Sequence, residues 1–280
     1  EYCHSNGEPS LICSYNPSEY VIEVGFYAQN LFKIPWVSIC ADYFNPGPEG
    51  PKFPDRAKQA KGHIFLSYKA FKDCNFQKKY HLDGGIDELK FNPSETKSNH
   101  KQYILYTGML SKWGGISLLL NAFKKIKDPN VELWVCGYGR NLELHNALKV
   151  DSRITFFGLV PENKLIDLCK KTSIFVNPRP NNIPGNDMNF PSKILEYLSY
   201  GKPVISTMTP GLSPDYKKVI ELIEPETAEC LSEKIQNVLK WSDDKLYRNS
   251  LLIKKFLKEK KTWSKQVKNL IYWIDNNFYN

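Results

Sequence analysis

The chain has 280 residues, of which 41 % are hydrophobic and 24 % charged, and a formal net charge of +8; this fits a folded globular protein of two modest domains or one large one. No run approaches the ~20 consecutive apolar residues of a spanning helix, and the polar start Glu1 to Ser10 lacks the basic and apolar blocks of a secretion signal. Seven scattered cysteines with no CxxC pair read as reduced thiols of a cytoplasmic protein rather than a disulfide framework.

Strand and helix signals alternate along the chain, which predicts parallel sheets covered by helices. Residues 11–14 form a short apolar strand, 19–31 a helix and 36–41 a second strand. Residues 42–52, rich in Pro, Gly and Asn, are loop. Residues 63–67 make a third strand with a helix after it. The polar stretch Ser94 to His100 (SETKSNH) is a domain boundary, because few apolar anchors cross it. The pattern then restarts, with strands at 103–107, 131–136, 154–157, 173–177 and 203–206. Between them lie helices at 116–126, 141–148, 163–170 and 192–200, and 226–277 is mostly helical. Right-handed crossovers gather the strand-to-helix loops at one edge of the sheet, where open α/β sheets bind ligands.

Three of those loops carry chemistry. Thr107 to Gly115 (TGMLSKWGG) follows a strand and opens a helix, so its glycines allow an anion to approach backbone N–H groups, with Lys112 adding charge; a plain tight turn is the equally weighted alternative. Cys136 to Arg140 (CGYGR) is a lone GxG, which more often serves packing than binding. The third is the most informative: Asn177-Pro178-Arg179-Pro180, then Asn189-Phe190-Pro191-Ser192-Lys193-Ile194-Leu195-Glu196 and Gly201-Lys202-Pro203-Val204-Ile205. Pro191 and Ser192 suit a helix start. Lys193 in the first turn opposes the helix dipole, which is explained if an anion binds there. Glu196, three residues on, shares its face. The alternative is an intrahelical Lys–Glu pair on a solvated face, which Leu195 and Leu198 disfavour. The surplus positive charge, as in 254–265, serves either solvated helix faces or a membrane surface, with no nucleic-acid motif and no metal-ligand spacing.

Taken in order, Gly108, the GxG at Gly137, Phe157-Gly158 followed by Val160-Pro161, and FPSK-x-x-EY-x-x-x-GKPVI resemble the C-terminal domain of the retaining glycosyltransferase family four, in particular members that assemble bacterial surface polysaccharides. The resemblance covers 103–207 well. It implies an α/β protein of two Rossmann-like domains, the GT-B fold, with a partial N-terminal acceptor-side domain over 1–96, a nucleotide-sugar-binding domain over 97–260 and a terminal helix over 261–280 that returns to the first. The first domain resembles the later part of its counterpart, and nothing before Leu11 supplies the further βα units usual in the family, so the chain reads as N-terminally truncated.

Carried over by position, Glu196 matches the second glutamate of the family's Glu-x7-Glu motif, which accepts hydrogen bonds from the ribose hydroxyls. The first glutamate falls on Met188, leaving Asp187 or Asn189 to face the donor sugar. Phe190, Pro191, Ser192 and Lys193 stand at the helix start near the diphosphate. The family's Arg and Lys after the first glycine fall on Met109 and Gly114, so Lys112 and Arg179 are the candidates to replace their charge, while Gly108 remains the close-approach glycine. The resemblance thus implies transfer of a sugar from a nucleoside-diphosphate sugar to a saccharide or lipid-linked saccharide, with retention and with no further cofactor or metal. Lys193, Asn189 and Lys112 are the catalytic candidates, and the reaction is expected in the cytoplasm or at the inner face of the membrane through a peripheral contact. The alternative is a non-catalytic nucleotide-sugar-binding fragment or partner subunit.

Overall fold

A computed structural model describes residues 10–16, 18–41, 46–47, 50–51, 56–87 and 101–279. The first lobe runs β1 (Ile12–Tyr15), α1 (Glu19–Phe32), β2 (Trp36–Cys40), a two-residue ribbon β3 (Pro46–Gly47) and β4 (Gly50–Pro51), β5 (Gly62–Phe65), α2 (Tyr68–Asp73) and β6 (Lys79–His81). Its main sheet has the order β1-β2-β5-β6 and every pairing is parallel. Ile22, Trp36, Cys40, Phe65 and Ala70 fill one face. Val37, Ile64 and Leu82 fill the other.

The second lobe runs β7 (Gln102–Met109), α3 (Ile116–Phe123), β8 (Val131–Tyr138), α4 (Leu142–Val150), β9 (Ile154–Gly158), α5 (Glu162–Lys171), β10 (Ile174–Asn177), α6 (Lys193–Leu198), β11 (Val204–Ser206), β12 (Glu221–Leu222), α7 (Ala228–Leu239) and α8 (Asp243–Phe256). Its parallel sheet has the order β12-β11-β10-β7-β8-β9. The central strands read as near-continuous apolar runs because helices cover both faces: Ile104, Leu105, Leu133, Val135, Phe175 and Val176 are all buried. Side-chain caps set several helix starts. Asn141 Oδ1 accepts from Leu144 N at 2.8 Å, and Ser242 Oγ accepts from Lys245 N at 3.3 Å. The last helix, α9 (Trp263–Phe278), packs Leu270, Trp273 and Phe278 against the first sheet.

Among the described residues, the lobes are tied together at two main places. At the crossovers, Lys261 Nζ lies 2.6 Å from Asp83 Oδ2, both groups buried. Gln266 Nε2 donates to Asp83 Oδ1 and to the Gly84 carbonyl at 3.2 and 2.7 Å. At the second tie, the Tyr68 and Lys69 amides of α2 donate to the Gly211 and Pro210 carbonyls at 2.9 and 3.0 Å. Beside it, Met188 of the second lobe packs into the apolar cluster of the first.

The α/β class expected from the alternation is the one the chain adopts; the differences are local. The strand expected at 63–67 ends at Phe65, because Ser67 turns to cap α2, its Oγ accepting from Ala70 N at 3.3 Å. The loop expected over 42–52 holds the β3–β4 ribbon, and its other residues beyond position 41 lie outside those described. The boundary expected at 94–100 and its 96/97 division also lie outside the described residues. Strand β6 was not foreseen: Lys-Tyr-His at a sheet edge carries no apolar alternation.

Candidate active site

The site is built at the carboxyl ends of β7 and β8. Both strands run further than their apolar patterns suggest, so Gly108 and Met109 are not loop residues: Gly108 pairs with Gly137, and Met109 with Tyr138. The reason lies in the backbone. Gly108 and Gly137 have φ of +157° and +149°, and a Cβ at 137 would strike the Gly108 carbonyl oxygen, so only glycine keeps the strands paired there. A Cβ at 108 would lie 3.2 Å from Tyr106 Oη and 3.4 Å from Lys193 Nζ. Gly108 thus leaves a notch with a phenol on one side and an ammonium on the other. The helix that follows this loop starts at Ile116, where it was expected, and ends at Phe123 rather than 126; the 3-10 turn Lys112–Gly114 separates its amino end from Gly108. Gly114, where the family carries Lys, has no room for a side chain: a Cβ would collide with Tyr106 Oη and the Met109 carbonyl, which are themselves hydrogen-bonded at 2.7 Å.

Helix α6 is docked onto the end of β7 by two of its residues. Lys193 Nζ donates to the Thr107 carbonyl at 2.9 Å. Tyr197, fully buried and stacked on Phe175 with centroids 4.6 Å apart, accepts the Thr107 amide at 2.9 Å and shares a bond with its hydroxyl. Burial holds the Lys193 ammonium below the usual lysine range, and the nearby Glu196 carboxylate opposes that shift. With Lys193 and Tyr197 turned to the sheet, Glu196 faces a cleft of 840 Å³ between the lobes. Ser192, Ser199 and Phe190 line the same wall. Tyr15, Leu82, Asp87 and Trp263 line the first lobe's side.

The remaining candidates divide. Arg179, at the end of β10, donates through Nε to Asn186 Oδ1 at 2.6 Å. The buried Asn186 then donates to the Trp113 and Pro180 carbonyls at 3.1 and 2.8 Å, which knots the two loops together. Burial pushes the Tyr106 phenol far up, and the Arg179 guanidinium acts on it in the opposite sense, so Arg179 is within electrostatic reach of the Gly108 notch. Lys112 stands exposed on its 3-10 turn and does not line the cleft. Asn189 is half-buried, its carbonyl packed so tightly on Gly211 that a side chain there would not fit. Pro191 is buried. Ser192 precedes the helix in an already helical conformation and its hydroxyl caps nothing, while Ile194 N and Leu195 N bond to Pro191 O and Ser192 O at 3.0 and 3.1 Å. The helix expected at 192–200 is therefore the shorter Lys193–Leu198, and charge near it comes from Lys193 rather than from bare amides. Met188 does not face this site: it is 6 % exposed, among first-lobe side chains.

Tyr106 and Tyr197 were not singled out from sequence, since aromatic residues inside apolar runs read as core. Lys164 was also missed. It lies in the first turn of α5, with Nζ 5.3 Å from the Phe157 ring centroid.

Among curated proteins none matches the chain in sequence. Solved structures share its fold. A glycosyltransferase from Rickettsia africae superposes with a TM-score of 0.77 at 14 % identity, over 100 % of this chain and 79 % of that one. Sucrose-phosphate synthase from Thermosynechococcus elongatus gives 0.74 at 16 % identity, over 99 % and 76 %. HepE from Anabaena, in complex with UDP-glucose, gives 0.71 at 16 % identity, over 98 % and 81 %. The model of the family "Glycosyl transferases group 1" matches residues 101–240, half of the chain, from β7 through α7 of the second lobe. With the paired parallel-sheet lobes and Glu196 turned into the cleft between them, this chain belongs to the glycosyl transferases group 1 and has the GT-B fold.

Proposed function

We propose that the chain moves a sugar from a nucleoside-diphosphate sugar to an acceptor hydroxyl with retention at the anomeric carbon, in surface polysaccharide synthesis. One observation carries the donor site: the same helix sends the Lys193 ammonium to the Gly108 notch and the Glu196 carboxylate into the interlobe cleft. The diphosphate lies at the notch, where Gly108 allows close approach and Lys193 and Arg179 supply positive charge. Glu196 accepts from the ribose hydroxyls. As the bond from the anomeric carbon to the diphosphate breaks, negative charge grows on the leaving oxygens, and a fixed, half-buried ammonium stabilises it more than water would. The HepE complex with UDP-glucose supports a nucleotide sugar on this fold. Retention rests on the family resemblance, and the polysaccharide role on the run NPRP followed by FPSK.

The acceptor, a saccharide or lipid-linked saccharide, enters from the first lobe, where Tyr15, Trp263 and Asp87 offer ring faces and a carboxylate. No helix of the described residues is long and apolar enough to cross a membrane. We place the reaction at the inner face of the membrane, with the exposed stripe Tyr20, Val24, Tyr27 and Leu31 of α1 as the peripheral contact. The second reading, a nucleotide-sugar-binding protein without transfer activity, draws on Met188 and Gly114, two uncharged residues at positions where the family is charged.

Calorimetry with nucleoside diphosphates tests the donor site. Lys193→Ala and Glu196→Ala each weaken binding by about tenfold or more, the loss of one charge-assisted contact. Unchanged affinity in both variants overturns the assignment. Donor-dependent transfer or hydrolysis by the purified chain separates the enzyme from the second reading.

A further inference from the structure

Strands β7, β8 and β9 lie side by side, and each bears a glycine close to its carboxyl end: Gly108, Gly137 and Gly158. Lys193 stands over the first of these ends. Lys164 stands over the third, its ammonium 5.3 Å from the centroid of the Phe157 ring. Both act on the Cys136 thiol between them, which burial pushes up to about 11 and the two ammonium groups pull back down. Lys164 is exposed, and among the described residues its ammonium stands over the Phe157 ring. Beside it, a Cβ on Gly158 would meet nothing within 4 Å, so the end of β9 is open on that side.

We propose that Lys164 reads the base of the donor nucleotide, donating to the carbonyl oxygen at C4 of uracil or C6 of guanine, so that the site favours these bases over cytosine and adenine, which carry an amino group at that position. The inference rests on the donor-site reading above and adds its specificity. Neighbouring strands are ~4.8 Å apart, so the β9 end is about 10 Å from the β7 end. With the diphosphate at Gly108 and the ribose at Glu196, the part of a nucleotide that reaches β9 is the base. An ammonium only donates hydrogen bonds, so it rewards an acceptor and rejects an amino group. Phe157, held edge-on against Trp134 with centroids 5.8 Å apart, fixes the surface over which Lys164 reaches.

The test is calorimetry of the full chain with UDP, CDP, GDP and ADP, on wild type, Lys164→Met and Lys164→Arg. Because the side chain is exposed, neither substitution disturbs the core. Wild type binds UDP over CDP, and GDP over ADP, by about tenfold, the worth of one hydrogen bond from a charged donor. Lys164→Met loses about tenfold for UDP and GDP and at most about twofold for CDP and ADP; Lys164→Arg keeps the order. An equal loss for all four ligands puts Lys164 on the phosphates and overturns base reading, as does no loss at all. If wild type binds none of the four, the donor site itself falls, and base reading with it.

Discussion

Met188 stands where the family resemblance asks for a glutamate, and restoring that glutamate is an informative perturbation. The side chain is 6 % exposed and packs among Trp36, Phe65 and Ala70 of the first lobe. Met188→Glu gives up the burial of a Met side chain, about 2 kcal/mol. It also places a carboxylate among apolar side chains, which costs about 1–3 kcal/mol more even after relaxation or protonation. The sum is about 4 kcal/mol. For a chain of this size unfolding as one unit, that lowers the melting temperature by about 8 °C, at about 2 °C per kcal/mol. Met188→Leu keeps the volume and apolarity and costs under about 1.5 kcal/mol. Urea unfolding followed by tryptophan fluorescence measures both variants, and Trp36, in the same cluster, reports on the interface itself. A Met188→Glu variant as stable as wild type, with tighter binding of a nucleotide sugar, would refute the interlobe role and show that position 188 faces the donor after all.

Removing one partner of the buried Lys261–Asp83 pair leaves an uncompensated charge, so Lys261→Met destabilises the chain by about 3–5 kcal/mol, and adding Asp83→Asn recovers much of that; a single variant within about 1 kcal/mol of wild type in urea unfolding would show that the pair does not hold the lobes together. His63, stacked on Phe76 at 3.7 Å, and His81 are both held by burial below the ordinary imidazole value of 6.5. Protons therefore bind the unfolded chain first, so this contribution to stability is complete above pH 6.5 and declines below it, by up to about 1.4 kcal/mol per pH unit for each histidine. His63→Phe flattens the urea midpoint between pH 5 and 6.5; an unchanged slope in that variant refutes the assignment.

How much of this could be read from residues alone depends on how local each feature is. The β7 to β11 alternation was legible because each buried strand is a short apolar run between polar turns. The spacing put Lys193 and Glu196 on one face of the helix, and the structure divides them: Lys193 turns to the Thr107 carbonyl while Glu196 lines the cleft, a difference that depends on how the helix docks on β7. Gly108 and Gly137 misled in a specific way. Glycine after an apolar run signals a loop, yet here each glycine prolongs its strand, because the pairing needs a backbone without a Cβ. Gly114 looked like a lost lysine, whereas the space a side chain would need is filled by Tyr106. Met188 and Lys164 were beyond sequence for another reason. The surroundings of Met188 belong to the other lobe, and those of Lys164 depend on β9 lying two strands from β7. Both are facts of topology, not of spacing.

The same segment serves the lobe interface and the donor site, and this couples them. Lys69 of the first lobe, whose pKa its Asp73 partner raises, also feels the Asp187 carboxylate; Met188 enters that lobe's apolar cluster, Phe190 reaches the cleft, and α6 begins at Lys193. Behind α6, Tyr197 and Lys193 fix the helix to Thr107, so its rear cannot shift without breaking buried hydrogen bonds. The short stretch from Asp187 to Ser192 is therefore the part that can answer to a change in lobe docking. Such coupling is reciprocal in free energy. A nucleotide that binds only when Ser192 and Glu196 are in place must strengthen the docking of Met188 by the factor that docking strengthens its own binding. Wild type should then gain resistance to unfolding on adding nucleotide, and a variant with Met188 undocked should gain less at the same ligand concentration, although no atom of Met188 lines the cleft.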